Sequence, residues 1–79
     1  RHFDYPGMAK RRGWHGEVRL GFELDSNGNI HHAHIVRSSG YSLLDSAALR
    51  ALQQIGAIQA QLPAKRQMEL PVIYTLNGG

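Results

Sequence analysis

Ile35-Val36-Arg37-Ser38-Ser39-Gly40, followed by Leu43-Leu44-Asp45-Ser46-Ala47-Ala48, is the stretch that decides the predicted fold. Its first residues are β-branched and suit the end of a strand. Two serines and a glycine then favour a tight turn. The residues after the turn are apolar at helical spacing. The stretch therefore predicts a strand, a short turn and a helix in direct succession.

A hairpin is predicted before this stretch. Residues 17 to 25 alternate strictly, with Val18, Leu20, Phe22 and Leu24 on one face, which indicates a half-buried strand. Asn27-Gly28 then predicts a two-residue type I′ turn with both residues at positive φ. The returning strand is residues 29 to 37.

The loop length sets the register of this hairpin. With Ser26 opposite Asn29, the predicted cross-strand pairs are Leu24 with His31, Phe22 with Ala33 and Leu20 with Ile35. Ala33 and Ile35 are therefore predicted to be buried on the core face. A three-residue loop would instead turn Ile30, His32 and His34 inward. We favour the first register because it buries no pair of imidazoles.

Two helices are predicted. Pro6 and Gly13 suit the start and the end of a short helix over residues 6 to 12, whose last turn is basic. Ser42 is the predicted cap of a longer helix that Gly56 ends. One apolar stripe on the longer helix consists of Leu44, Ala48, Ala51, Leu52 and Ile55. This stripe predicts packing on the sheet through a single face.

A third strand is predicted after a connection over residues 57 to 66. Residues 68 to 76 alternate, and one face carries Leu70, Val72, Tyr74 and Leu76. Pro71 has no N–H for a ladder, so we expect this strand at a sheet edge with the proline nitrogen on the open side. The pattern leaves two placements open: parallel beside the second strand, or antiparallel beside the first.

Composition limits the remaining classes. A chain of 79 residues forms one domain, and without cysteine it has neither disulfides nor a thiolate metal site. The longest apolar run, residues 70 to 74, is far shorter than the ~20 residues of a membrane span. Because the chain begins at Arg1 without a signal-like segment, we expect it to be a soluble fragment of a longer protein.

No constellation of residues favours catalysis, a cofactor or nucleic acid. His32, His34 and Glu23 could approach a metal ion on one sheet face, but no fourth ligand or recurring metal spacing accompanies them, so we favour an exposed polar face. Ser38, Ser39, His34 and Asp45 lack a nucleophile elbow. The net charge of +3 reflects short basic runs that suit helix ends. Trp14 could be a partner anchor or a lid on the core.

The combined pattern resembles the carboxy-terminal domain of the TonB energy-transducer family. Its shared residues are Tyr5-Pro6, Ala9, Gly13, Gly16, Val18, the Ser38-Ser39-Gly40 turn and Leu44-Asp45 with Ala47-Ala48. The resemblance implies an α+β fold, a three-stranded antiparallel sheet of order 2-1-3 with two helices packed on one face, in a single domain over residues 1–79. One departure is the segment from Ile58 to Pro63, which lacks the aromatic residue found there in many members.

The same resemblance implies a function. Such domains are periplasmic, belong to proteins anchored in the inner membrane, work with ExbB and ExbD, and couple the proton-motive force to nutrient import of the iron-siderophore, haem or cobalamin type. They bind the TonB box of outer-membrane receptors by β-strand addition at the third strand. The implied partner-binding residues are Glu69, Leu70, Pro71, Val72, Ile73, Tyr74, Thr75 and Leu76, with His2 as a further contact. The open edge could also pair with a second copy, and a TolA-like envelope scaffold is the alternative class.

Overall fold

The structure is a computed structural model that describes residues 5–59 and 61–76. Two helices and three strands follow one another as α1 (Gly7–Arg11), β1 (Gly16–Leu24), β2 (Ile30–Arg37), α2 (Ser42–Ile55) and β3 (Arg66–Tyr74). The strands form one antiparallel sheet in the order β2-β1-β3. The predicted fold class is therefore confirmed. Neither helix among the described residues has the length and hydropathy that crossing a membrane requires.

One hydrophobic core lies between the sheet and the helices. The even-numbered residues of β1 from Val18 to Leu24 are buried, as the alternation predicts. They meet Ala9 of α1 and the apolar stripe of α2, while β3 adds Val72 and Tyr74. Both helices thus cover the same face of the sheet, and its other face is exposed. Gly56, at φ 69°, ends α2 where the sequence indicates.

The hairpin turn differs from the predicted one. Gly28 has φ 86°, but Asn27 is not at positive φ, so the turn is not type I′. The Asp25 N–H donates to Asn29 O at 3.1 Å, which encloses a three-residue loop. A loop of this length typically ends in a residue at positive φ, and here glycine fills that position. The Asp25 carboxylate stabilises the loop by accepting from the N–H groups of Asn27 and Asn29.

The register agrees with the predicted one in the middle of the hairpin and differs at both ends. At the end far from the loop, a second irregularity pairs Arg19 with Arg37. Leu24 pairs with Ile30 rather than His31, whereas the predicted pair of Leu20 with Ile35 is present. A bulge opposite Phe22 accounts for the change near the loop. Between the pairs Glu23–His31 and Gly21–His34, β2 advances by three residues whereas β1 advances by two. His32 lies in this bulge with φ 56°.

The extra residue in the bulge changes which residues of β2 face the core. Ile30 and Ala33 pack against the core, whereas the imidazoles stay exposed. The histidines of β2 are kept out of the core by the bulge and not by the predicted two-residue loop. The predicted burial of Ile35 is wrong: it is 38% exposed. Ile35 lies on an edge strand, where one side has no neighbouring strand to cover it.

Two further predictions need correction. Ser42 does not cap α2: the cap is Tyr41, which makes no capping bond through its side chain. Leu76 is exposed and lies beyond the last strand, which ends at Tyr74.

The segment after α2 binds the hairpin loop through its backbone. Ile30 N–H donates to Gly56 O, and Ile58 N–H donates to Gly28 O. Leu62 N–H donates to Ser26 O at 3.0 Å. These bonds hold the segment in place without the aromatic residue that many members of the resembled family have there.

Candidate partner-binding edge

The third strand lies at an edge of the sheet. It pairs with β1 over its whole length, from Gly16 opposite Tyr74 to Leu24 opposite Arg66. Within residues 5–59 and 61–76 no strand pairs with its other side. A strand in this position presents backbone N–H and C=O groups to any chain that lies beside it.

Pro71 shows which backbone groups point outward. It lies opposite Arg19 and has no N–H to exchange, so this pair is not a hydrogen-bonded one. Because the pairs of an antiparallel ladder alternate, Glu69 and Ile73 share this orientation with Pro71. Their backbone groups point away from β1, whereas those of Leu70 and Val72 point toward it. The expectation that Pro71 confines the strand to an edge is consistent with this geometry.

The side chains of the edge differ between its two faces. Val72 and Tyr74 are buried in the core, and the Tyr74 ring packs edge-on against Tyr5 with 5.1 Å between centroids. Ile73 points to the exposed sheet face and is 68% exposed, the highest fraction among the large apolar side chains described. A partner strand would therefore meet the outward backbone groups of Glu69, Pro71 and Ile73 but an apolar side chain chiefly at Ile73.

Charged residues line the same exposed face. Arg19 contacts Glu17 at 3.1 Å and Glu69 at 3.6 Å. These groups are well exposed, so each pair contributes little to stability. Their role at the edge is to place a carboxylate four residues from Ile73 on the face that a partner strand would share.

The predicted site residues divide into three groups. Glu69 to Tyr74 lie in β3, and Thr75 and Leu76 follow its end. His2 lies outside the described residues. The structure therefore places Glu69 to Leu76 along one edge or directly after it, and their contact with a partner stays a prediction.

The histidines do not converge on a metal site. His31 Nε2 lies 2.9 Å from the Asp25 carboxylate, and His32 Nε2 lies 3.7 Å from Glu23. The His34 ring lies over Gly21 and bonds through Nδ1 to its own strand, at His32 O. No group of three or more histidine, aspartate or glutamate side chains able to hold an ion occurs among the described residues.

Asp25 is the most strongly perturbed carboxyl group. Its hydrogen bond with His31 is the largest cause, and the bonds from Asn29 and Asn27 add to it, so the pKa of Asp25 lies well below its ordinary value. Desolvation acts in the opposite direction, but the hydrogen bonds together outweigh it. The group stabilises the hairpin loop in its ionised form.

Ser38, Ser39 and Asp45 form a structural cluster and not a catalytic triad. Asp45 Oδ1 accepts from Ser39 N at 2.9 Å and from Ser39 Oγ at 2.7 Å, and Oδ2 accepts from Ser38 Oγ. Burial acts to raise the pKa of Asp45, but these hydrogen bonds outweigh it and lower the pKa. His34 bonds to His32 O, and within residues 5–59 and 61–76 no histidine is hydrogen-bonded to either serine.

Trp14 is part of a layered aromatic cluster that sequence reasoning did not find. Its ring stacks on Tyr41 at 4.8 Å and 14°, and the Arg12 guanidinium lies 5.5 Å from the ring centroid. Its backbone is fixed as well, because Trp14 N–H donates to Ala9 O and Tyr5 Oη donates to Trp14 O. The two aromatic partners lie 9 and 27 positions away, so no local pattern indicates these contacts.

Similarity to known proteins agrees with this geometry. The family described as Gram-negative bacterial TonB protein C-terminal matches residues 1–76. Protein tonB2 of Pseudomonas aeruginosa is 31% identical over 77 residues, covering 94% of this chain and 28% of that protein. Protein TonB of Vibrio cholerae is 32% identical, covering 94% of this chain and 32% of that protein.

The fold is also that of a solved relative. The solution structure of the Helicobacter pylori TonB carboxy-terminal domain, residues 179–285, superposes with a TM-score of 0.84 at 27% identity, covering 98% of this chain and 72% of that one. The chain thus spans about a third or less of the full-length relatives and most of their isolated domain. This chain belongs to the family of TonB carboxy-terminal domains, the terminal module of TonB-type energy transducers.

Proposed function

We propose that this chain is the periplasmic coupling domain of a TonB-type transducer and that the outer edge of β3 receives the TonB box of an outer-membrane receptor. The observation that carries the proposal is the edge position of β3, with Pro71 facing outward between Glu69 and Ile73. Family membership supports it, because the resemblance assigns receptor binding to this strand. Residues 1–79 then act as one domain.

Binding takes place through the backbone. Between Glu69 and Ile73 the outward groups are two N–H donors and three carbonyl acceptors, since Pro71 contributes a carbonyl only. Five hydrogen bonds at about 0.5 to 1.5 kcal/mol net each supply at most about 7 kcal/mol, and the entropy of ordering a peptide reduces this further. The expected affinity is therefore weak, no tighter than about 10 μM and extending toward the millimolar range. Such an affinity allows a transducer to engage and release its receptor repeatedly.

The larger role follows from this contact. The full protein is anchored in the inner membrane and works with ExbB and ExbD, which supply energy from the proton gradient. The domain transmits that energy to the receptor it holds, and the receptor imports an iron-siderophore, haem or cobalamin type of nutrient. The domain performs no catalysis in this scheme. The same edge could also pair with a second copy of the chain, which would compete with the receptor.

A proline variant tests the proposal. Ile73→Pro removes an outward N–H, so it should weaken binding of receptor amino-terminal peptides by about 2- to 12-fold relative to Ile73→Ala, by fluorescence anisotropy, while circular dichroism stays unchanged. Ile73→Ala is the matched control, because it loses the same exposed side chain but keeps the N–H. Val72→Pro should unfold the domain, since its N–H faces β1.

Two results would contradict the proposal. The edge is not the binding site if Ile73→Pro binds every peptide as well as the original chain does. The assignment of outward groups is wrong if Ile73→Pro unfolds the domain. Sedimentation of the free domain tests the alternative in which the edge pairs with a second copy. That alternative predicts a dimer of the original chain and a monomer of Ile73→Pro.

A further inference from the structure

We propose that Lys10, Arg11 and Arg12 form a second contact for the same partner peptide and bind acidic residues that flank its strand-forming segment. We call these three residues the basic cluster. The proposal rests on the proposed function and adds to it the chemistry of the flank. Three observations carry it: unpaired charge, position beside the end of β3, and a rigid support.

The basic cluster has no counter-charge among the described residues. Within residues 5–59 and 61–76 the ion pairs involve Arg19, Lys65, His31 and His32, and none involves the cluster. All three residues are exposed. Two of them lie near aromatic rings. Lys10 Nζ is 5.8 Å from the Tyr5 ring centroid, and the Arg12 guanidinium is 5.5 Å from the Trp14 ring centroid. Three adjacent cations are thus available to an anionic group from outside.

The cluster continues the docking edge. Tyr5, which carries Lys10 near its ring, packs against Tyr74, the last residue of β3. Gly13, next to Arg12, lies so close to Leu76 that a Cβ there would be 3.9 Å from Leu76 Cδ1. A strand advances about 3.3 Å per residue. A partner that lies along β3 and continues two or three residues past Tyr74 therefore reaches the cluster.

The support beneath the cluster is fixed. Trp14, held by Ala9 and Tyr5 through its backbone, stacks on Tyr41 and orders the Arg12 side of the cluster. A pre-ordered set of cations loses less entropy on binding than mobile side chains do. Aspartate or glutamate residues in the flank match it in charge, and continuity with the edge favours a peptide over any separate ligand.

The test compares flanked peptides. A receptor peptide that binds the edge is extended by Asp-Glu-Asp at its amino end or at its carboxyl end, with Asn-Gln-Asn extensions as neutral controls. Each exposed ion pair contributes about 1.4- to 5-fold in affinity. The acidic extension that runs past Tyr74 should therefore tighten binding on the order of tenfold. The extension at the opposite end should gain much less, and the favoured end reveals the direction of the partner strand.

Protein variants identify the cations responsible. Lys10→Gln with Arg11→Gln should remove most of the gain, and binding of the neutral peptides should stay the same. Arg37→Gln with Arg50→Gln is the matched control, since it removes the same charge on β2 and α2 and should keep the gain. At 1 M salt, where the Debye length is ~3 Å, the gain should disappear.

The outcomes separate this inference from the proposed function. If no receptor peptide binds at all, both fail. If the neutral peptides bind but neither acidic extension tightens binding, the edge proposal stands and this inference is wrong. The inference also fails if Lys10→Gln with Arg11→Gln leaves the peptide gain intact but weakens binding to vesicles containing phosphatidylglycerol, because the cluster would then contact lipid.

Discussion

Replacing Asp45 tests the turn in the stretch that decides the fold. Asp45 lies in the first turn of α2 with its side chain mostly buried, and it accepts three hydrogen bonds from Ser38 and Ser39. In Asp45→Ala the two hydroxyls can turn to water, but the Ser39 N–H loses its partner at a part-buried position. Losing a bonded, charged acceptor costs about 1.5 to 3 kcal/mol.

The total stability sets the scale of this loss. A chain of 79 residues is expected to unfold with a free energy of about 4 to 12 kcal/mol. With a urea m-value of about 1 kcal/mol/M, Asp45→Ala should lower the unfolding midpoint by about 2 M. Trp14 fluorescence can follow the transition, since its ring stacks on Tyr41 beside this turn. The matched control is Ser46→Ala, at the next and exposed helix position, which should change stability by under ~0.5 kcal/mol.

The pH dependence of the effect has a definite sign. The pKa of Asp45 is lower in the folded chain than its ordinary value of 3.8. Its stabilisation is therefore present above pH 3.8 and is lost as the pH falls below that value. The difference between the original chain and Asp45→Ala should be full at pH 6 and should shrink toward pH 3. An unfolding midpoint that Asp45→Ala leaves within 0.3 M at pH 6 would refute the reasoning.

Three further predictions concern stability. Phe22→Ala should cost about 3 to 5 kcal/mol because Phe22 is 8% exposed, and a cooperative urea transition close to the original midpoint would contradict this. Gly28→Val should cost about 1 to 3 kcal/mol, since φ is 86° there; an unchanged thermal midpoint would show that the loop does not need this conformation. Asp25→Asn should destabilise the hairpin at pH 6 and progressively less below pH 3.8, because the pKa of Asp25 is lowered in the fold; a deficit that persists undiminished to pH 2 would disprove the charge-dependent part.

The sequence correctly predicted those elements that are governed by a single strong residue pattern. Strict alternation in β1 leaves one choice of inward face, and the apolar stripe of α2 with Gly56 leaves one helix face and one end. Pro71 restricts β3 to an edge by covalent structure alone. The placement of β3 beside β1 came from the family resemblance, because residue patterns left both neighbours open.

The hairpin shows where such patterns are insufficient. With a three-residue loop and regular alternation, Ile30, His32 and His34 lie on the same face of β2, so burying Ile30 would also bury both histidines. An extra residue in a bulge avoids this. The bulge at His32 resolves this conflict at the cost of a positive φ. Which residue is extruded depends on the energy of the whole sheet, and alternation does not encode it.

Contacts between distant residues account for the rest. Asp45 lies in the first turn of α2, but its serine partners depend on the path of the turn. The stack of Trp14 on Tyr41 and the contact of Tyr5 with Tyr74 join residues far apart in the chain. The candidate edge was predictable from Pro71, whereas the basic cluster beside it was not, because its position depends on these contacts.

The most direct measurement of the central claim is the set of backbone amide shifts during titration of the labelled domain with a receptor amino-terminal peptide. The account predicts that the largest changes occur at the outward amides of β3, Glu69 and Ile73, in a saturable manner. Changes that cluster instead on Glu23, His32 and His34 would place the peptide on the exposed sheet face and contradict the assignment of the β3 edge as the receptor site.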